Sequence, residues 1–326
     1  MTRRPSLSVI ITCYALDRLS DLLALLDSVT MQTYRPLETI LVLESSRELF
    51  DQVSSYVGER KIPNTKVLFN SGEEGLSAAR NMGVGRARGD IIAFVDDDSV
   101  LFPNWAEEMV KPYSSEDIIG VTGPAVPLWE EAGMAWFPEE LYWIVSCTAW
   151  CEWDKMTEVR NGWGMNMSFR REVFDQGELF SHAFGLRDAN RTCWVDPPSE
   201  DVDLSLRVKA KTGKTIVFVP TVVVKHRVYR RRLRMSFIRR RAFSVGYQRR
   251  MLGRLYPDID TGSDPLGQEH RLLRRIARRL LPDIARTLLQ DPITGWRKLS
   301  VTANALAFVA IGYLAPLSII GGNHRR

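Results

Sequence analysis

An unbroken apolar strand that ends in three carboxylates constrains this chain more than any other feature. Residues 75–98 read GLSAARNMGVGRARGDIIAFVDDD. Ser77 is placed to cap a helix whose Ala78, Ala79, Met82, Val84 and Ala87 suit close packing. Gly89-Asp90 marks a turn, and Ile91 to Val95 is apolar at every position, as in a strand covered on both faces of an α/β sheet. Asp96, Asp97 and Asp98 fall where that strand leaves the sheet, and alternation sends Asp96 and Asp98 to the same side. Adjacent carboxylates repel one another and resist desolvation; an oxygen-seeking divalent cation, Mg²⁺ or Mn²⁺, relieves both costs. A solvated acidic turn is the competing reading.

The residues before this stretch alternate between strand and helix. Leu7 to Thr12 is a continuous apolar strand, Asp21 to Val29 carries Leu22, Leu25, Leu26 and Val29 at helical spacing, a second strand ends at Glu44, and Lys66 to Phe69 is a third. This pattern predicts a doubly wound α/β half. Ligands of such sheets bind beyond the carboxyl ends of the strands, where Tyr14, Glu44 and Asp96 to Asp98 meet.

After about Gly123 the composition shifts. Trp129, Trp136, Phe137, Tyr142, Trp143, Trp150, Trp153 and Trp163 crowd together as core, sugar-stacking wall or membrane-interface belt. Pro197-Pro198-Ser199 stops one element and Ser199 can cap a helix from Glu200 to Val208, which places Glu200 and Asp201 in its first turn beside the helix dipole. Ordinary helix-terminal charge is the plain alternative. Thr215 to Val219 and Val222 to Val224 are β-branched strands, and His226 follows them as a structural histidine or a metal ligand.

On these residues the chain resembles the family 2 glycosyltransferases, inverting enzymes of GT-A fold that use nucleotide-sugar donors. The resemblance covers roughly Leu7 to Arg250. It implies that Asp96 and Asp98 bind the donor diphosphate through a divalent metal, with Asp97 beside them and His226 as a further ligand. It implies donor contacts from Thr12 and Tyr14 in the first loop, from Glu44 to the uracil or ribose, and from Arg80 of Ala79-Arg80-Asn81 near the phosphates. It further implies that Asp201 takes the proton of the acceptor hydroxyl, with Glu200 as neighbour or substitute. The segment EVRNGWGMNMSFRREVF corresponds to the acceptor-side strand, so Asn161, Trp163, Gly164 and Asn166 are assigned there, the glycines permitting close approach of substrate to backbone. With FPEELYWIVSCT, this segment is similar to archaeal glucosyl-dolichyl-phosphate glucuronosyltransferases, which implies a UDP-linked donor, a polyprenyl- or dolichyl-phosphate-linked acceptor and a role in protein glycosylation. The first loop departs from the family pattern, reading Thr12-Cys13-Tyr14-Ala15 where Pro-Thr-Tyr-Asn is usual. A soluble acceptor, or a nucleotide-sugar-binding module without turnover, stays open. A sugar nucleotidyltransferase would need a glycine-rich basic loop after the first strand, and TCYALDRLS is not one.

The rest of the chain is basic. Lys225 to Arg254 contains twelve Lys and Arg and no acid, interleaved with Leu233, Phe237, Ile238, Phe243 and Tyr247. From Leu272 to Ile284 the apolar residues Leu272, Leu273, Ile276, Leu280 and Ile284 share one helical face and arginines line the other. Basic amphipathic helices of this kind suit an anionic membrane surface; nucleic acid is the rival, but no nucleic-acid motif is present. Leu299 to Ile320 has no charged residue and approaches spanning length, which favours a membrane anchor at the cytoplasmic face of the cell membrane over a soluble core helix. Four irregularly spaced cysteines, Cys13, Cys147, Cys151 and Cys193, read as reduced thiols, and Met1 to Ser6 carries no signal-like apolar run.

The expected architecture is therefore α/β: a GT-A catalytic domain over 1–226, in which a Rossmann-like nucleotide-binding sheet (1–123) is fused to an acceptor half (124–226). Basic amphipathic helices (227–298) and a hydrophobic anchor with a basic tail (299–326) form a C-terminal helical membrane-associating region. Homo-oligomerisation stays open.

Overall fold

The computed structural model describes residues 4–148, 153–182, 199–256 and 267–316. Trp150, Cys151, Cys193, Pro197-Pro198 and everything from residue 317 onward lie outside them. The strands are β1 (Leu7–Cys13), β2 (Leu37–Glu44), β3 (Thr65–Asn70), β4 (Ile91–Asp96), β5 (Ser99–Leu101), β6 (Ile118–Thr122), β7 (Ala125–Trp129), β8 (Thr157–Val159), β9 (Asn166–Arg170), β10 (Thr215–Phe218) and β11 (Val224–Val228). The helices are α1 (Leu19–Thr30), α2 (Arg47–Glu59), α3 (Leu76–Val84), α4 (Trp105–Val110), α5 (Arg171–Asp175), α6 (Glu200–Thr212), α7 (Met235–Leu255), α8 (Gly267–Arg275), α9 (Leu281–Gln290) and α10 (Pro292–Leu314).

Eight strands form one sheet in the order β3-β2-β1-β4-β9-β6-β10-β8. The first four are parallel; β9 runs antiparallel to both β4 and β6. The continuous apolar strands are explained by cover on both faces. Val9 and Ile11 of β1 and Ala93 and Val95 of β4 pack with Leu22, Leu25 and Leu26 of α1, Leu49 and Val53 of α2 and Trp105 of α4. Ile10, Ile92 and Phe94 point the other way, onto Ala79 of α3 and Leu204 and Val208 of α6. A second sheet has the order β5-β11-β7.

Contacts divide the described residues into two compact units, 4–126 with 153–182 and 199–226, and 127–148 with 227–256 and 267–316. Aromatic residues of 127–148 lie in the same unit as the C-terminal helices. Phe137, Leu141, Ile144 and Val145 share a core with Ile238 of α7 and Val301 and Ala305 of α10. Arg275 reinforces it through Glu140, 3.1 Å away.

In this second unit α7 and α10 approach backbone to backbone. A methyl on Gly246 would lie 2.0 Å from the Val309 carbonyl oxygen, and one on Gly312 2.1 Å from that of Phe243. Partners advance together along both helices, Arg239 with Asn304 and Arg250 with Tyr313, so the two run in the same direction. The apolar face expected over 272–284 forms, with Leu272, Ile276, Leu280 and Ile284 clustered against Leu288 and Leu299. A π-helical turn at Ile276–Leu280 interrupts it, and Leu273 is half exposed. The uncharged C-terminal segment is part of α10, which begins earlier than expected, at Pro292, and stops at Leu314 ahead of Ala315-Pro316. No helix among the described residues is long and apolar enough to cross a membrane.

Candidate active site

Strand register assembles the first part of the site. Thr12 of β1 lies beside Asp96 of β4, and Glu44 of β2 beside Asn70 of β3, at the carboxyl edge of the parallel strands. Here β4 stops at Asp96, and Asp97 and Asp98 form the turn into β5. Asp96 and Asp98 therefore meet through a turn, not through strand alternation. His226 lies within β11, opposite Ser99, instead of following the strand. Ligand atoms of Asp96, Asp98 and His226 all fall within 4.8 Å of one another, and His226 Nε2 is 3.1 Å from Asp98 Oδ1. His226 and Asp98 are almost fully buried while Asp96 keeps about a third of its side-chain surface exposed, 35%. Two carboxylates and an imidazole on one small volume form a donor set that suits a divalent cation, whose charge would offset their mutual repulsion.

A residue that the sequence reading did not single out completes this cluster. Arg18, on the short 3₁₀ turn after β1, places Nη1 2.8 Å from Asp98 Oδ2 and 3.4 Å from Asp97 Oδ1. Asp97 faces inward toward Arg18 and Cys13. Burial first, and then the Asp98 charge, push its carboxyl up to about 7 against the pull of Arg18.

The second part of the site is built around Arg80 on α3. Its guanidinium is buried, with Nη1 2.6 Å from Glu200 Oε1 and Nη2 3.1 Å from both Asp96 Oδ1 and the Gly164 carbonyl. Phe180 lies beneath it, 5.3 Å from ring centroid to guanidinium carbon. Arg80 thus ties Asp96 to the first residue of α6. Its neighbour Asn81 donates to the Phe180 carbonyl (2.8 Å) and accepts from the Phe180 N–H (2.9 Å). Helix α3 itself starts differently from expectation. Gly75 occupies the cap position at φ +119°, a conformation that favours glycine, and Ser77 lies inside the first turn.

Glu200 and Asp201 open α6 behind Ser199, as expected, though the Ser199 side chain makes no capping bond. The two carboxylates differ in their partners. Glu200 is ion-paired to Arg80, whereas among the described residues Asp201 accepts from backbone N–H groups only, Oδ2 from Gly164 and Oδ1 from Val202, both at 2.8 Å. Burial raises the pKa of both, that of Glu200 to about 7.

The remaining predicted residues separate into exposed and committed groups. Tyr14 is 43% exposed at the carboxyl edge of β1. Glu44 is buried and holds the loop into α3, its Oε2 accepting from Asn70 Nδ2 and the Gly75 N–H. Asn161 is also buried and donates to the Gly162 carbonyl. Trp163 packs at a tilt against Trp153 and edge-to-face with Phe218. Asn166 has no exposed surface: it accepts from Trp105 Nε1 (2.9 Å) and donates to the Val222 carbonyl (2.7 Å), tying β9 to α4 and to the segment before β11. The glycines here make room for protein, not for open space. A methyl on Gly164 would meet Arg80 Nη2 at 2.8 Å, and one on Gly162 the Met167 Cβ at 2.9 Å.

Residues 8–177 match the profile of Glycosyl transferase family 2, just over half of the chain. The chain belongs to this family. A relative from Haloferax volcanii, glucosyl-dolichyl phosphate glucuronosyltransferase, is 29% identical over 286 residues, 87% of each protein. An uncharacterised glycosyltransferase of Bacillus subtilis is 32% identical over 127 residues, 39% of this transferase and 45% of the relative. Among solved structures, a mannosyltransferase from Pyrobaculum calidifontis in complex with GDP-Man and Mn²⁺ superposes with a TM-score of 0.61 at 17% identity, covering 96% of this chain and 88% of that one. GalNAc-T7 with UDP, GalNAc and Mn²⁺ gives 0.53 at 15% identity, over 89% and 58%. The transferase therefore has the GT-A fold, and its three-residue cluster could hold a divalent ion without distinguishing Mg²⁺ from Mn²⁺.

Proposed function

We propose that this transferase is a metal-dependent, inverting enzyme that moves a sugar from a nucleotide-sugar, UDP-linked and with glucuronate as the first candidate, to a polyprenyl- or dolichyl-phosphate-linked acceptor at the cytoplasmic face of the membrane. The observation that carries the reading is the split between the two carboxylates of α6. Glu200 is ion-paired with Arg80, while Asp201 is oriented by two backbone N–H groups and has no cationic hydrogen-bond partner among the described residues. A carboxylate so fixed, with its basicity raised by burial, is suited to remove a proton from an attacking hydroxyl.

In this reading the acceptor oxygen forms a bond to the anomeric carbon, the bond from that carbon to the donor's diphosphate oxygen breaks, and the hydroxyl proton passes to Asp201. The nucleoside diphosphate departs with the electron pair. A divalent ion held by Asp96, Asp98 and His226 would supply positive charge to that leaving group. Arg80 fixes Asp96 and Glu200 relative to each other, and Tyr14 offers an exposed ring to the donor base.

The lipid-linked acceptor is supported by the Haloferax relative and by the surface of the C-terminal unit. Leu289, Ile293 and Trp296 are 88%, 69% and 66% exposed around the junction of α9 and α10, next in sequence to Arg286 and Arg297. Exposed apolar residues beside arginines suit the interface of an anionic bilayer.

The test is release of nucleoside diphosphate from a panel of nucleotide sugars, with Mn²⁺ or Mg²⁺, a short polyprenyl-phosphate-sugar acceptor and an EDTA control. Metal-dependent release that requires the lipid is the expected result. Release that is indifferent to the lipid would replace it with a soluble acceptor, and EDTA-resistant turnover would overturn the metal assignment.

A further inference from the structure

Arg18 contacts both carboxylates of the Asp97-Asp98 pair, and no sequence motif accounts for it. Its side chain is 13% exposed, and both of its carboxylate contacts are made by the single nitrogen Nη1. The other edge of the fork, Nη2 and Nε, makes no hydrogen bond among the described residues. The two carboxylate oxygens of Asp98 face different groups. Oδ1 faces His226 at 3.1 Å, on the side where the ligand atoms converge, and Oδ2 faces Arg18 at 2.8 Å. The turn that carries Arg18 follows directly from the carboxyl end of β1, whose Thr12 lies beside Asp96. That edge is where ligands of such sheets bind.

Two electrostatic consequences follow from this arrangement. A divalent ion on Asp98 has a guanidinium as a like-charged neighbour on the same carboxylate, so Arg18 weakens the site's hold on a bare metal. A diphosphate brings negative charge to both cations at once, and the unused edge of a planar guanidinium is shaped to accept it.

We propose that Arg18 is a further donor-binding residue that makes metal and diphosphate binding interdependent: it opposes the metal alone and favours the metal with a nucleoside diphosphate. The proposal rests on the nucleotide-sugar reading above. It assigns to Arg18 a role that a residue merely supporting Asp98 would not have, because support would move both affinities in the same direction.

The test compares wild type, Arg18→Ala and Arg18→Lys in two binding measurements, neither of which needs turnover. Mn²⁺ alone is followed by the paramagnetic resonance of free Mn²⁺; UDP and GDP at saturating Mn²⁺ are followed by titration calorimetry. Arg18→Ala is expected to bind Mn²⁺ alone about tenfold more tightly and the better diphosphate about tenfold more weakly, on the scale of one partly screened charge. Arg18→Lys keeps the charge but not the fork and falls between them. Parallel weakening of both affinities, or no change in either, overturns the proposal. A wild-type enzyme that binds Mn²⁺ but neither diphosphate overturns the donor reading and the diphosphate half of this one, while tighter Mn²⁺ binding by Arg18→Ala would still uphold the opposition to metal. Absence of Mn²⁺ binding in every protein overturns both.

Discussion

In the catalytic unit, groups that ordinarily face water are inside: Asp97, Asp98, Glu200, Arg80 and His226 are all under a tenth exposed. In the C-terminal unit the reverse holds at the α9–α10 junction, where Leu289, Ile293 and Trp296 are mostly exposed. Buried charge is costly unless it is paired and positioned, so it marks chemistry; clustered exposed apolar surface is costly in water, so it marks a partner. Substitutions in the first region should therefore erase turnover and leave lipid binding alone, and substitutions in the second should do the opposite.

The largest effect is expected from Asp98→Ala, which removes a carboxylate of the candidate metal cluster and takes from Arg18 its 2.8 Å ion pair. Transfer should fall below detection while circular dichroism stays native and vesicle binding is unchanged; measurable turnover would break the assignment of this cluster. Next comes Asp201→Asn, which keeps the shape but not the basicity. Its kcat should drop about 10²–10⁴-fold with diphosphate affinity preserved, the size of a lost general base. A parallel loss of donor affinity would instead make Asp201 a binding group.

The pH profile sharpens the same contrast. Burial favours the protonated form of Asp201, so this carboxylate, the proposed base, is charged only at higher pH than an ordinary aspartate. Activity should rise with pH, with its acid limb displaced upward from the usual carboxylate range. Because folding holds a proton on Glu200 up to about 7, this group's contribution to stability is greatest at acid pH and diminishes as pH rises from about 4.5 toward 7. Glu200→Gln should flatten that slope in thermal unfolding followed against pH.

Smaller effects are expected in the C-terminal unit. Serine at Leu289 or Trp296 should each lower partition onto anionic vesicles by about tenfold, on the scale of one apolar side chain withdrawn from water, with soluble-donor binding intact. Unchanged sedimentation with vesicles would detach this surface from the lipid. Gly312→Val should lower stability by about 1–3 kcal/mol, because a side chain there meets the Phe243 backbone. An unchanged melting temperature would show that α7 and α10 can separate without cost.

The strands were legible because two-sided cover demands apolar residues at every position, and Ile91 to Val95 satisfies this from sequence alone. The acidic cluster was legible for the complementary reason, that three carboxylates after such a strand require compensation. What could not be read were pairings across long stretches of chain. Arg18 reaches Asp98 over 80 residues, and Asn166 reaches Trp105 over 61. Nothing local in Arg18 distinguishes it from any basic residue in a turn. Gly164 was recognised as a place of close approach, and in the structure Arg80 of α3 lies against it. The aromatic span misled in a similar way: its residues read equally as wall, core or belt, and only their packing against α7 and α10 assigns most of them to a core.

The neighbouring residues Arg80 and Asn81 grip the chain at two places, Asn81 at Phe180 and Arg80 at Glu200. One turn of α3 therefore sets where Phe180 and the start of α6 stand relative to each other. A shift of that turn would carry both attachment points, and Glu200 with them, as one piece.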